Sequence, residues 1–356
     1  MANTEQNFDE LIQALFKLGS SDLLIRVGRR PTLRVDGSLI ELAKFPVTTP
    51  DSAKDFVSEI LSDAQRERFL KEKELDFSYS YKDKGRFRVN VFFQKSFMGA
   101  ALRLISTKIR TIEELNLPPI LLEFVQKPQG FILVVGPTGH GKTTTLAALV
   151  DYVNHTRNEH IITVEDPIEY LFVSDRSIVD QREVGIDTTT FHTGLRSMFR
   201  EDVDMAMIGE MRDAETMATA VTAAETGHLI CSSLHTNNAA QTIDRIIDTF
   251  PPAQQGQIRS QLSATLIGII SQRLLPRASG GLIPAVEVMI ANSAIRNLIR
   301  ENKTHEIDIV IETSSEEGMI SLNRALVELV RKGEVTVENA LAYSLNPQEF
   351  SLLMGY

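Results

Sequence analysis

Eight consecutive residues, Gly136, Pro137, Thr138, Gly139, His140, Gly141, Lys142 and Thr143, fit the pattern G-x-x-x-x-G-K-[ST] position for position. Glycines at these places let the main chain come close to a phosphate, successive N–H groups point inward, and a following helix adds positive potential at its N-terminus. Lys142 would reach β- and γ-phosphate oxygens, and the Thr143 hydroxyl would ligate Mg²⁺. The flanks agree with this chemistry. Phe131 to Val135 is an apolar run that reads as a buried strand, and Thr144 to Val153 carries apolar residues at helical spacing. Thr144 therefore opens the helix and joins the phosphate-binding positions. His140 fills a free position of the pattern, and its type alone assigns it no chemistry.

Binding a phosphate is not hydrolysing it. Hydrolysis also needs a held metal, an aligned water and cationic stabilisation of the departing phosphoryl group. Three further apolar runs read as strands with polar or acidic residues at their carboxyl ends: Ile161 to Val164 before Glu165, Met205 to Ile208 before Gly209 and Glu210, and Leu229 to Leu234 before His235. Ligands bind at those ends in parallel sheets. Glu210 stands where a carboxylate holds Mg²⁺ through water, and Glu165 is placed to orient and deprotonate the attacking water. An arbitrary glutamate would be a helix cap or half of an ion pair, but two of them ending buried strands beside a phosphate loop reverse those odds. The run from His228 through Cys231 to His235 invites a zinc reading. Strand alternation sends His228 to the face opposite Cys231 and His235, so the three converge poorly. As hydrogen-bonding groups, His228 and His235 would sense or relay the state of the γ-phosphate.

The elements that must position these groups are legible in outline. At 356 residues the chain is long enough for two or three domains. A hydrophobic fraction of 43% and a charged fraction of 24% are those of a soluble globular protein. No apolar run approaches bilayer length, and the polar, acidic Met1 to Glu10 carries no signal pattern, so cytosolic residence without a membrane span is expected. A single cysteine, Cys231, excludes an internal disulfide, and a formal charge of −10 argues against a broad nucleic-acid surface.

Residues 1–105 mix short helices and strands: a helix over Asp9 to Leu18, strands at Leu23 to Val27 and Thr32 to Val35, and a hairpin turn at Asp36-Gly37. A helix is expected near Pro50 and another at Ser62, where Gln65 completes a capping box, followed by a three-stranded meander ending near Ile105. Arg86 and Arg88 share one face of the second meander strand, with Arg103 on the third. They are either a solvated face or cations that reach a phosphate elsewhere. Residues 106–118 read as a linker, 119–285 as a parallel-sheet core, and 286–356 as a helical region opening its last helix at Asn346-Pro347.

Several stretches resemble the hexameric secretion and type IV pilus ATPases. Glu165-Asp166-Pro167-Ile168-Glu169-Tyr170 is similar to that family's Asp box. Gln181-Arg182-Glu183-Val184-Gly185 and Gly209-Glu210-Met211-Arg212-Asp213 resemble its segments around Walker B, and Glu225-Thr226-Gly227-His228 through His235-Thr236-Asn237 its His box. Gly19-Ser20-Ser21-Asp22-Leu23 and Arg86-Phe87-Arg88 extend the likeness to nearly the whole chain. The octet Ala294-Ile295-Arg296-Asn297-Leu298-Ile299-Arg300-Glu301 is similar to the signature of the family's retraction motors. By spacing alone it is an ordinary amphipathic helix, with Ile295, Leu298 and Ile299 on one face.

The resemblance implies an α/β fold: a RecA-like P-loop core with a helical C-terminal appendage, plus a small N-terminal α+β domain of PAS-like form. It implies an ATP- and Mg²⁺-dependent homo-hexamer driving pilus retraction, peripheral to the inner membrane. The partners implied are a membrane platform protein and a second related motor, with no nucleic acid. Arg86, Arg88 and Arg103 would approach the γ-phosphate at a domain or subunit boundary, and the octet would couple the cycle to the partner or to a neighbouring subunit. Lys95, His140 and Leu24 depart from residues common in relatives. The rival readings are an extension or secretion motor, a nucleotide-gated accessory subunit, and a nucleic-acid translocase.

Overall fold

The computed structural model describes residues 8–35, 38–82, 84–105 and 108–355, so the turn expected at Asp36-Gly37 lies outside the described residues. Contacts divide the chain into two compact units, Met1–Thr107 and Lys108–Tyr356.

The first unit is an antiparallel sheet with helices packed on it. In order come α1 (Phe8–Lys17), β1 (Asp22–Ile25), β2 (Thr32–Val35), β3 (Ser38–Glu41), α2 (Pro50–Ile60), α3 (Asp63–Glu72), β4 (Glu74–Tyr81), β5 (Gly85–Gln94) and β6 (Phe97–Leu104). The strands lie in the order β3-β2-β1-β6-β5-β4. Capping boxes start both later helices: Thr49 with Ser52 at α2, where Pro50 takes the first position, and Ser62 with Gln65 at α3. Strand alternation sends Phe87, Val89, Val91, Leu102, Leu23 and Leu33 into one core. The opposite face carries Arg88 and Arg103 directly opposite each other, and Arg103 opposite Asp22. Two arginines side by side repel. Asp22, 2.8 Å from Arg103, partly offsets that repulsion.

The second unit carries α4 (Leu121–Val125), β7 (Gly130–Val135), α5 (Lys142–Thr156), β8 (His160–Glu165), β9 (Ile178–Glu183), α6 (Phe191–Met198), β10 (Met205–Ile208), α7 (Ala214–Glu225) and β11 (Leu229–Leu234). It continues with α8 (Ala239–Asp248), α9 (Pro252–Thr265), β12 (Leu266–Pro276), β13 (Leu282–Ile290), α10 (Ser293–Arg300), α11 (Ile307–Thr313), α12 (Leu322–Arg331), α13 (Val337–Tyr343) and α14 (Pro347–Met354). The sheet order is β13-β12-β7-β11-β10-β8-β9, parallel except for β13. Both faces are covered. Phe131, Leu133 and Val135 of β7 enter one core with α7 to α10, while Ile132 and Val134 enter another with α4 and α5. A strand buried on both sides has no polar alternation, which is why β7 reads as an unbroken apolar run.

Two expected boundaries differ. Residues 112, 115 and 117 are leucine or isoleucine side chains buried against α4 and α5, so that part of 106–118 is packed onto the sheet rather than a free connection. β13 crosses position 285, where the core was expected to end. Its Ile283 and Ala285 share a core with α12 to α14, which binds the C-terminal helices to the sheet.

Arg296, expected on the open side of the octet, is instead a clamp. Its guanidinium donates to Ala291 O (2.8 Å), Ser263 O (2.7 Å), Ala264 O (2.5 Å) and Leu266 O (2.8 Å), gathering orphan carbonyls at the end of α9. Cations at a helix C-terminus also meet the favourable end of its dipole. Arg296→Ala should therefore destabilise the second unit by roughly 2–4 kcal/mol, the scale of several charged hydrogen bonds lost at once. Thermal melting checks it, and an unchanged midpoint would show that water replaces the clamp at no cost.

Candidate functional site

The loop between β7 and α5 has the expected form for reasons visible at its glycines. Gly136 has φ +145°, and a Cβ there would meet Gln272 O at 2.4 Å, so no other residue fits against β12. Gly141, at φ +82°, is the residue preceding the first turn of α5. The loop borders a hollow of about 400 Å³ at the carboxyl ends of the parallel strands. Thr138, Gly139, Gly141, Lys142, Thr143 and Thr144 line one wall; Glu165, Asp166 and Glu169 stand across it, with Glu210 and His235 between.

Lys142 is buried. Its Nζ donates to Gly136 O and Pro137 O, both at 3.0 Å, and lies 3.3 Å from His235 Nδ1. Burial pushes its pKa down, and the carboxylates of Glu210 and Glu169 oppose that shift. Because the ammonium can only donate, His235 Nδ1 is an acceptor and Nε2 bears the proton. That Nε2 stands 3.2 Å from Glu210 Oε2, and Glu210 is also ion-paired with Arg212. Lys142, His235 and Glu210 thus form one hydrogen-bonded line across the hollow. Thr144 Oγ1 meets the hydroxyl of Tyr170 at 2.8 Å, tying the first turn of α5 to the far wall.

Glu165 ends β8 almost fully buried. Thr163 Oγ1 donates to its Oε1 at 2.7 Å and Gln181 Nε2 at 3.2 Å, while the Glu169 N–H reaches Oε2 at 3.4 Å. Burial raises its pKa to about 7 despite these donors. A carboxyl near neutrality is matched to taking a proton from water. If it does so, it works only when ionised, and turnover should fall as pH drops through an apparent pKa of about 7. A profile of kcat/KM against pH checks this, and a flat profile down to about pH 5 would exclude Glu165 as the titrating base.

His228 is not in the hollow. It sits at the amino end of β11, with Nδ1 3.0 Å from Ala223 O and its ring edge-on to Phe199. A strand of six residues separates it from His235, roughly 20 Å at strand rise. Of the two histidines read as sensing or relaying the γ-phosphate, only His235 lines the hollow of this chain. No group of three or more His, Cys, Asp or Glu side chains placed to hold a metal occurs among the described residues. His140 lines no wall of the hollow and turns onto β12, where Leu274 N–H donates to its Nδ1 at 2.9 Å. Arg86, Arg88 and Arg103 belong to the sheet of the first unit, on the face away from its core; Arg86 is half-buried and the other two are exposed.

Sequence reasoning missed a second hollow of about 380 Å³ that shares Gly141, Thr144 and Leu274 with the first. Leu117, Leu282 and Pro284 give it apolar walls, and Arg110 and Asn116 give it polar groups. Its walls come from the supposed linker and the β12–β13 turn, which no local pattern connects to the phosphate loop. A larger hollow of about 590 Å³ lies at the opposite, amino end of β7, beside Gly130 and Arg296, and contains none of the strand-end groups.

Residues 4–281 match the protein family described as Type II/IV secretion system protein. The chain is 44% identical to the type IV pilus retractation ATPase PilT of Pseudomonas aeruginosa over 341 residues, covering 96% of this chain and 99% of that protein. It belongs to the type II/IV secretion system protein family. Among members of this family it is also 39% identical to the type IV pilus ATPase PilU of the same organism, over 98% of this chain and 91% of that one. The crystal structure of the pilus retraction motor PilT with bound ADP superposes with a TM-score of 0.90 at 45% identity, covering 97% of this chain and 99% of that chain. The α/β architecture is thus that of a family ATPase. No helix among the described residues is long and apolar enough to cross a membrane.

Proposed function

We propose that this chain is a Mg²⁺-dependent ATPase that assembles as a homo-hexamer and drives retraction of type IV pili. The observation that carries the reading is near-full-length similarity to a retraction ATPase, joined to a phosphate loop, a near-neutral buried carboxyl and a second strand-end carboxylate around one hollow. The triphosphate would lie along the loop N–H groups of Gly139 to Thr143, with Lys142 moving from Gly136 O and Pro137 O to the β- and γ-oxygens. The nucleoside would continue past Thr144 into the adjoining hollow, between Leu117 and Leu282. The similar retraction motor PilT carries bound ADP in its crystal structure, which supports a nucleotide as the ligand.

The Thr143 hydroxyl and Glu210 carboxylate are hard oxygen donors lining the same hollow and suit Mg²⁺, with water completing its shell. When bound, the ion neutralises charge building on the β- and γ-phosphate oxygens. Glu165 holds the attacking water and takes its proton. His235, touching both Lys142 and Glu210, registers whether the γ-phosphate is present. Arg86, Arg88 and Arg103 supply cations from a domain or subunit boundary, which makes hydrolysis depend on how neighbours dock and so couples chemistry to motion.

The partners proposed are an inner-membrane platform protein on the cytoplasmic side and a second motor; the similarity to PilU supports the latter. The net charge of −10 disfavours nucleic acid. Purified chain should hydrolyse ATP with Mg²⁺ and stop with a chelator, and light scattering should give six chains of 39.7 kDa. A gene deletion should leave pili that extend but do not retract. Loss of pilus assembly instead would favour the extension reading, and absence of turnover the accessory-subunit reading.

A further inference from the structure

β12 runs on beyond β7, one of its two neighbours, while its pairing with β13 on the other side continues to Pro276. Its ladder with β7 ends where Ser271 lies opposite Val135, leaving Leu274 with no β7 residue beside it. A strand N–H without a ladder partner must find another acceptor or lose its hydrogen bond. Leu274 N finds the ring of His140, at 2.9 Å from Nδ1. An accepting nitrogen carries no proton, so the imidazole is neutral with its hydrogen on Nε2. The same residue is held twice: the buried Gln272 donates from Nε2 to His140 O at 2.8 Å, while its Oε1 accepts from Thr145 Oγ1 at 2.7 Å. On its outer side the ring meets Tyr343 at the end of α13, 6.1 Å between centroids. Gly139 and Gly141, on either side, have left-handed backbones at φ +79° and +82° and no side chain with which to fix the loop.

We propose that His140 is a positioning residue for nucleotide binding: its imidazole bolts the phosphate loop to the stretch of β12 that runs on beyond β7 and so holds the loop N–H groups in the shape that receives phosphate. The G-x-x-x-x-G-K-[ST] pattern asks for no particular residue here, so the device belongs to this chain's own packing. It rests on the reading of the loop as a phosphate cradle. Two cations face the ring, Arg273 from β12 and Lys142 from α5, with Tyr343 from α13; burial first, then these charges, hold the imidazole below the ordinary histidine range. Protonation would set an N–H against the Leu274 N–H, so the bolt is kept at neutral pH and lost only in acid.

The experiment measures binding of a fluorescent ADP analogue and ATP turnover for the full chain, with His140→Ala, His140→Asn and Lys142→Ala. Losing one hydrogen bond that orders the loop should weaken binding about tenfold in His140→Ala and raise KM equally, with kcat at saturation within about twofold. Asparagine offers Oδ1 to the same N–H and should restore most of the affinity. Wild-type affinity should fall in acid more steeply than that of His140→Asn, which has nothing to titrate there. Equal affinity in wild type and His140→Ala overturns the proposal and leaves the cradle reading intact. So does equal weakening in the Ala and Asn variants at unchanged melting temperature. Nucleotide binding absent from wild type, or retained in Lys142→Ala, overturns the cradle reading instead.

Discussion

Glu165→Gln should bind ATP as tightly as the parent chain while turnover falls by about 10²- to 10⁴-fold, the usual worth of a positioned base. Glutamine keeps the shape and can still accept from Thr163 Oγ1, so the hollow should not collapse. What it loses is the ability to take a proton. The same substitution makes a separate prediction about stability, because burial raises the Glu165 pKa to about 7 from an unfolded value near 4.5. A carboxyl raised in this way costs nothing while protonated in both states, below the unfolded value. Its penalty grows between the two values and is complete above about 7. Glu165→Gln should therefore melt above the wild type at alkaline pH and close to it near the unfolded pKa. Full ATPase activity in the variant would remove Glu165 from the chemistry, and a melting difference independent of pH would remove the electrostatic account of its burial.

Lys142→Ala should lose nucleotide affinity by about 100-fold or more, since each charged hydrogen bond to phosphate is worth roughly 1.5–3 kcal/mol and this ammonium would make more than one. It should not lose the fold. Lys142 donates to Gly136 O and Pro137 O at the edge of a solvent-filled hollow, where water can replace it. Binding measured by fluorescence alongside thermal melting separates the two effects. Affinity retained at the wild-type level would show that the nucleotide's phosphates are not held at this loop.

The residues that gather around the hollow were legible because their signals are local. The phosphate loop is contiguous, β7 before it is apolar without interruption, and Glu165 ends and Glu210 closely follows strands that are short and buried. Capping at Ser62 and Asn346 was legible for the same reason: a cap and its partner lie three residues apart. Long-range pairing was not. β12 hides in the sequence because Gln272 and Arg273, polar residues at its centre, are buried by partners far along the chain: Thr145 and His140 for the first, Asn237 for the second. The stretch around Leu115 and Leu117 looked like a connection because its prolines are local while the surface it packs on is not. Arg296 looked like a surface residue because its four carbonyl acceptors, two at the end of α9, one at the start of β12 and one in the turn before α10, are invisible to helical spacing. His228 was grouped with His235 by proximity in sequence, although the strand between them carries the two to opposite ends of β11.

The central claim is that Lys142, Thr143, Glu165 and Glu210 act on one triphosphate and its metal. A crystal structure with a non-hydrolysable ATP analogue and Mg²⁺ tests it most directly. The account predicts the Lys142 ammonium on the β- and γ-oxygens, Mg²⁺ on the Thr143 hydroxyl with Glu210 joined through water, and Glu165 within hydrogen-bond reach of a water in line with the γ-phosphorus. A nucleotide seated with its phosphates away from the loop, or with both carboxylates beyond reach of metal and water, would contradict it.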